Sequence, residues 1–594
     1  MNILGLSFYY HDAAACLIKD GKISSMAEEE RFSRVKHDSN FPVLAIDFVL
    51  KQANLKPADL DYVVFYEKPF LKFERIIKNS LLTFPFSPKV FIESTKHLFL
   101  DKLWIRHLIS TRLKISQDKI FFSKHHLSHA ASAFFCSPFE KAAILTVDGV
   151  GEWATSSLAS GEGNKITVLK EIFFPHSLGL LYSAFTAFLG FQVNEGEYKV
   201  MGMAPYGQPK YKEKVRQLVK IYSDGSFELQ MKFFTFHRSL VKTYSAEFVK
   251  LFGRPRNPKS KFFTRKTGWP VYFGDKPADS EYEKLAKEQE YYADIAASIQ
   301  AVTEEILLLL ANHLYEVTKI DKLCLAGGVA LNSVSNWKIL KNTPFKEIYI
   351  QPAAGDGGGA LGAALALNYL YLKNSERINL NHAYFGQEYS DAKIKEVLEE
   401  RKIAYEYFDD EEKLLSIVAD KIARGKVVGW FSGKFEWGPR ALGSRSILAD
   451  PRRAEMKDIV NTKIKFREPY RPFAPSVLSE KADEFFELPS PVEKLYPARF
   501  MLYVVPVKKN QQQAVPAITH VDGSARPQLV YKEESPRYWN LINHFYKKTQ
   551  IPLLLNTSFN LKGEPIVNTP QNALNTFYKS GMDVLVLENF LIIR

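Results

Sequence analysis

The chain has 594 residues, 46% hydrophobic and 24% charged, with a formal net charge of +13. That length exceeds what a single core organises and the composition is that of a globular protein, so several domains are expected and a disordered chain is excluded. Three scattered cysteines, Cys16, Cys136 and Cys324, exclude a disulfide framework, and no apolar run approaches the roughly 18 residues of a spanning helix.

The opening "MNILGLSFYYHD" has no basic leader, so a cytoplasmic location is expected. "NILGLSFYY", "ACLIKDG" and "KISSMAEEERF" read as strands joined by polar turns, the first turn carrying His11 and Asp12. Helices are expected over 42–54 and 125–136. "KAAILTVDGVGEWATSSLASGEG" (141–163) repeats the strand–turn–strand pattern with Asp148 at the turn, which points to a duplicated nucleotide-binding fold. Residues 287–318 have helical periodicity, and "DKLCLAGGVALNSVSN" and "IYIQPAAGDGGGALGAALALNYL" each run from a strand through a glycine turn into a helix. Residues 373–384 read as a polar linker, dividing a first α/β domain (1–372) from a second (385–594).

"SKHHLSHAASAFF" places His125 and His129 four residues apart, on one helix face, a spacing that suits two imidazoles on one ion. With Asp148 and Asp356 they would suit Fe²⁺, Mn²⁺ or Zn²⁺, although helix histidines and turn aspartates of this kind also occur without a metal. Further on, Arg440, Arg445, Lys465, Arg467 and Arg471 lie in loops rich in Gly, Pro and aromatics, where guanidinium forks suit phosphate or carboxylate. His520, Asp522, Arg526, Asn556, Ser558, Asn560 and Glu564 extend that polar set. The densest basic stretch, "GRPRNPKSKFFTRKTGWP" (253–270), reads either as a solvated insertion or as a contact for a polyanion.

Eleven segments in order, among them "YYHDAAACLIKDG", "HHLSHAASAF", "GEYKVMGMAPYG", "GDGGGALGAA", "GPRALGSRSILADPR", "REPYRPFAPSVL" and "LNTSFNLKGEPIV", together resemble the carbamoyltransferase family of nodulation and antibiotic pathways. That family includes the tobramycin, cephem and novobiocin O-carbamoyltransferases. The resemblance implies an α/β chain with an N-terminal actin/hexokinase-like ATPase (Kae-like) domain followed by a YrdC-like α/β domain. It implies that the second domain converts carbamoyl phosphate and ATP to carbamoyl-adenylate, and that the first passes the carbamoyl group to a hydroxyl or an amine or guanidine nitrogen of a small molecule.

Carried over by motif, His125, His129, Asp148 and Asp356 would hold the metal, with Fe²⁺ the family-like choice. His11 would be the general base, and Gly327, Gly328, Asn332 and Gly357 would cradle the adenylate. Arg440, Lys465, Arg471 and Arg526 would hold carbamoyl phosphate and ATP, with Arg445, His520, Asn556 and Ser558 beside them and Mg²⁺ accompanying ATP. Residues 70–115 and 230–275 would shape acceptor recognition. A membrane is not an expected partner, nucleic acid is disfavoured, and a homodimer is compatible with the reading. The competing readings are a tRNA threonylcarbamoyl-type enzyme and a non-catalytic actin-like module.

Overall fold

The computed structural model describes residues 1–85, 92, 104–239, 241–270, 273–468 and 470–594. Of the stretch 70–115, residues 86–91 and 93–103 therefore lie outside the described residues, as do 240, 271 and 272 of the stretch 230–275. The chain divides into two compact units, Met1–Ser25 with Ser39–Asn379 and Met26–Asp38 with Leu380–Arg594. Both are mixed α/β.

The first unit holds two five-stranded sheets. One contains β1 (Asn2–Ser7), β2 (Ala14–Lys19), β3 (Lys22–Glu28), β4 (Tyr62–Phe65) and β5 (Ile120–Phe122), in the order β3-β2-β1-β4-β5. The other contains β6 (Lys141–Val147), β7 (Ala154–Glu162), β8 (Lys165–Phe173), β9 (Lys322–Ala326) and β10 (Glu347–Tyr349), in the order β8-β7-β6-β9-β10. In both, a run of three chain-consecutive strands is followed by two strands that arrive by crossover. β1 pairs antiparallel with β2 and parallel with β4; β6 pairs antiparallel with β7 and parallel with β9. The duplication expected from the two strand–turn–strand segments is thus present as sheet topology. β1 and β6 are buried along almost their whole length, which is why both read as near-continuous apolar runs.

The helices of this unit include α1 (Pro69–Leu82), α2 (His125–Phe134), α3 (Asp279–Thr318), α4 (Ser333–Asn342) and α5 (Gly357–Leu365). α3 begins before the residue 287 expected from periodicity, because its first turns are polar and mostly exposed. α5 lies unusually close to its neighbours. A Cβ on Gly362 would sit 1.8 Å from the Ser128 carbonyl oxygen of α2, and one on Gly5 would sit 1.9 Å from that of Ala360. Glycine at these two points lets backbone pack on backbone.

The second unit is built on an eight-stranded sheet containing Val428–Phe431, Arg445–Ala449, Ala474–Leu478, Leu553–Ser558 and Val584–Leu587. Helices Glu411–Ala423 and Pro536–Thr549 bury Leu414, Val418, Leu541 and Phe545 with Trp430 and Val586, each such side chain contributing about 1.5–3 kcal/mol on leaving water. A linear reading of the chain does not anticipate that Met26–Asp38 joins this unit. Polar bonds tie it there. Buried Arg31 donates to the carbonyls of Glu436 (3.3 Å) and Gly438 (2.6 Å), Glu28 accepts from the Gly438 amide (2.7 Å), and Arg34 donates to the carbonyls of Pro565 and Ile566 (2.7 and 2.6 Å).

Because no side chain can retreat from backbone contact, Gly362→Ala should lower stability by about 1–3 kcal/mol. A urea midpoint within error of the parent would refute the close α2–α5 packing.

Candidate active site

The first unit brings four ligand-type side chains to one point. His125 and His129 stand one turn apart on α2, with Nε2 atoms 3.0 Å apart. Asp148 follows β6, and Asp356 directly precedes α5. His125 Nε2 is 2.9 Å from Asp148 Oδ2 and 3.6 Å from Asp356 Oδ1, and His129 Nε2 is 3.5 Å from each. One ligand atom from each residue lies within 4.8 Å of the others, and all four side chains are buried.

Both carboxylate oxygens of Asp356 are buried without a hydrogen-bond partner. Burial of an unpartnered carboxylate is expensive, so two imidazole nitrogens facing two carboxylates fit a divalent cation. A proton does part of that work here. Burial disfavours charged His129, yet the Asp148 and Asp356 carboxylates, each 3.5 Å from its Nε2, raise it to about 9. Burial opposes the charged form of Asp148 as well, and the two histidines still hold its carboxyl well below the usual carboxylate range.

Neighbours fix the ligands. The Glu152 carboxylate accepts the amides of Lys68 (2.7 Å) and His125 (3.0 Å), anchoring the start of α2. Asp148 Oδ1 accepts the Gly328 amide at 2.9 Å. Gly327 has φ +93°, and a Cβ there would meet the Val147 carbonyl oxygen at 2.2 Å, so the glycine turn must approach the end of β6 closely. The third histidine has a different task. His126 Nδ1 bonds Thr146 Oγ1 at 2.6 Å, and burial followed by the two neighbouring histidines lowers it to about 3, so it is a neutral core group.

The nucleotide-cradle residues are therefore partly engaged in holding the site together. The Gly328 amide faces Asp148, Gly357 opens α5 beside Asp356, and Asn332 caps α4 by accepting the Ser335 amide while donating to Gln300. His11, in the β1–β2 turn, donates Nδ1–H to Asp12 at 2.7 Å and Nε2–H to the Asn194 carbonyl at 3.0 Å. Both partners are acceptors, so the ring is an imidazolium. Burial pulls its pKa down, but the Asp12 hydrogen bond and charge, with Asp356, raise it to about 9.

The second unit concentrates cations. Burial lowers Arg526 well below its ordinary value, and the next influences are Arg440, Arg467 and Arg471. Lys465 is lowered by burial and then by Arg467, Arg471 and Lys36. Lys36 reaches this cluster from the Met26–Asp38 segment, which no local sequence signal reveals. Crowded like charges of this kind are relieved by an anion. Other members of the predicted set are scaffold. Lys465 Nζ donates to the Ser558 and Asn560 carbonyls (2.7 and 2.8 Å) and to Ser558 Oγ (3.1 Å). Buried Arg445 donates to the carbonyls of Ser432, Ser444 and Gln387 and stacks 3.6 Å above the Phe431 ring. Asn556 donates to Ser476 Oγ at 2.9 Å. His520 lies 3.5 Å from Asp522, whose carboxyl is held at about 2 against burial by His520 and Ser524. Glu436, unremarked in the sequence, accepts the amides of Leu442, Ser444 and Arg445 on one oxygen (2.7–3.1 Å) and so shapes the loop bearing Arg440.

The basic stretch 253–270 is largely tied into its own unit. Buried Arg256 donates to Gln289 and to the carbonyls of Leu189 and Ser260, and Arg265 pairs with Glu283 and Glu290. No helix among the described residues is long and apolar enough to cross a membrane.

Residues 2–365 match the family described as carbamoyltransferase N-terminus, and residues 419–594 match carbamoyltransferase C-terminus. The nodulation protein NolNO of Sinorhizobium fredii is 37% identical over 98% of this chain and 79% of its own length. The nodulation protein NolO of Bradyrhizobium diazoefficiens is 38% identical over 79% of this chain and 78% of its own. An uncharacterized protein of Synechocystis is 45% identical over 100% of this chain and 97% of its own. Solved structures with local similarity include the activator of the 2-hydroxyisocaproyl-CoA dehydratase from Clostridium difficile (14% identity, 64% of this chain and 99% of that one, TM-score 0.31) and HypF of T. kodakarensis (15%, 63% and 48%, TM-score 0.28). The chain belongs to the carbamoyltransferase family, and it is a carbamoyltransferase.

His129→Ala and Asp356→Asn should each weaken divalent-metal binding by at least about 100-fold, since loss of a mere supporting partner already costs 10–100-fold, while His126→Gln should retain it. Metal content after dialysis checks this, and equal loss in all three variants would contradict the division of roles.

Proposed function

We propose that the two units of this carbamoyltransferase run two half-reactions. In the second unit, water hydrolyses carbamoyl phosphate to carbamate and inorganic phosphate. A carbamate oxygen then attacks the α-phosphorus of ATP, with Mg²⁺ accompanying the nucleotide, and pyrophosphate leaves. The resulting carbamoyl-adenylate is a mixed anhydride with a good leaving group, which the resonance-stabilised carbamate is not. In the first unit, a hydroxyl or nitrogen of a small-molecule acceptor attacks the carbamoyl carbon, and AMP leaves.

The observation that carries this reading is the crowding of Arg526 by Arg440, Arg467 and Arg471, joined by Lys36 beside Lys465. Such a cluster suits a substrate bearing several phosphate charges. A divalent ion, Fe²⁺ by resemblance with Mn²⁺ or Zn²⁺ as alternatives, would be held by His125, His129, Asp148 and Asp356 and would supply Lewis acidity when bound. His11 receives the acceptor's proton at Nε2. It must first release the proton now directed to the Asn194 carbonyl, so its basic form grows as pH rises toward about 9.

With ATP, pyrophosphate release should depend on carbamoyl phosphate, and Arg471→Ala or Arg526→Ala should slow it by about 100-fold or more, whereas His11→Ala should leave it intact and block transfer. ADP as the nucleotide product, or release indifferent to carbamoyl phosphate, would sink the adenylate reading.

The transfer rate should climb about tenfold per pH unit below about 9. Asp12→Asn removes the hydrogen bond and charge that raise His11, so this limb should move to lower pH by about one unit or more. A pH–rate profile that Asp12→Asn does not move would exclude His11 as the base.

A further inference from the structure

Tyr66 lies just beyond β4 and is fully buried. Its backbone is clamped on both sides: its amide donates to the Leu6 carbonyl at 3.1 Å, and its carbonyl accepts Ser128 Oγ of α2 at 2.9 Å. Its ring packs against the His125 imidazole, with centroids 5.3 Å apart. On the other side it meets the first turn of α5, where a Cβ on Gly359 would come within 2.6 Å of the ring. The phenol is therefore wedged between the helix bearing two ligand histidines and the helix that Asp356 precedes.

Its hydroxyl is buried and has no hydrogen-bond partner among the described residues. Other buried tyrosines of this unit are satisfied, Tyr182 by Gln300 and Tyr369 by the Glu376 carbonyl. Burial, and after it the charges of Glu67, Asp356 and Asp148, hold the phenol protonated, and no described side chain accepts its O–H. A buried orphan hydroxyl is costly, a cost that a bound hydrogen-bond acceptor removes.

We propose that Tyr66 is a ligand-binding residue of the first unit's site, its O–H donating a hydrogen bond to a phosphate oxygen of the nucleotide bound beside the histidine–aspartate tetrad. The hydroxyl keeps its proton throughout. This rests on the reading of the tetrad as a metal site that receives the adenylate. A ligand oxygen that accepts from Tyr66 is fixed relative to Asp356 and His125 at once, so the residue would set where the phosphate, and with it the carbamoyl carbon, sits before attack.

The test uses the full-length protein, with Mn²⁺ as the metal probe and AMP as the nucleotide probe, and compares the parent with Tyr66→Phe by calorimetry. Mn²⁺ affinity should stay within about twofold, while the Mn²⁺-dependent part of AMP affinity should fall about tenfold or more, as expected on losing a hydrogen bond to a charged group. Carbamoyl transfer should fall while carbamoyl-phosphate-dependent pyrophosphate release by the second unit is unchanged, which also reports that the variant is folded. Unchanged AMP binding would overturn the proposal. So would a parallel loss of Mn²⁺ affinity, which would make Tyr66 a support for the ligand set. If the parent itself binds no Mn²⁺, the metal reading fails and this inference fails with it, an outcome distinct from both others.

Discussion

Everything in the first unit is arranged around a concentration of buried charge that the protein alone does not fully neutralise. Two imidazoles and two carboxylates converge within 4.8 Å, and a carboxylate with no hydrogen-bond donor sits among them. Coulombic attraction among these groups is large in a low-dielectric interior, but so is the cost of taking them out of water. The surrounding elements hold them together regardless. Glycine at positions 5 and 362 lets α5 press onto β1 and α2, Glu152 fixes the start of α2, and the Gly328 amide fixes Asp148. The same close packing sets the buried Tyr66 ring against His125 on one side and the first turn of α5 on the other.

The duplication of the sheets explains where the chemistry collects. Each sheet ends its first strand in a short turn before an antiparallel partner, and these two turns supply His11 with Asp12 in one copy and Asp148 in the other. The two copies contribute unlike groups from like positions. One turn carries an imidazolium that titrates near 9, and the other carries a carboxylate held far below its ordinary range. One scaffold thus provides a group that gives up its proton only above neutral pH and a group locked in its anionic form.

Much of this was readable in the sequence because the signals are local. The i, i+4 histidines, the Asp-Gly turns and the apolar strands depend on residues near one another in the chain, and the four tetrad residues lie where motif reading put them together. Four features were not readable, each for a physical reason. His126 differs from its neighbours only by facing Thr146, and spacing cannot distinguish a helix face that meets two carboxylates from one that meets a hydroxyl. Lys36 acts in a unit whose other residues begin at Leu380, a long-range placement that no pattern encodes. Glu436 works through three backbone amides, which have no sequence identity at all. Tyr66 looks like any residue ending a buried strand, and only the missing partner of its hydroxyl sets it apart.

The cation-rich second unit shows why residue type is a weaker guide than environment. Arg445 and Arg526 are both arginines of polar loops or strand ends, and the resemblance sets Arg526 on the substrates with Arg445 beside it. Arg445 is enclosed by three carbonyls and an aromatic face, which hold it in place although burial still lowers it to about 10. Arg526 is buried among other arginines, and each neighbour raises the cost of its charge. Removing Arg445 would leave carbonyls unpaired, whereas removing Arg526 would relieve repulsion among the arginines. Arginines held by carbonyls stabilise the protein outright, and crowded ones would need an anion beside them to do so, as the proposed function supposes. The division between folding and function in this unit therefore runs between residues of one chemical kind, and is set by what each guanidinium already touches.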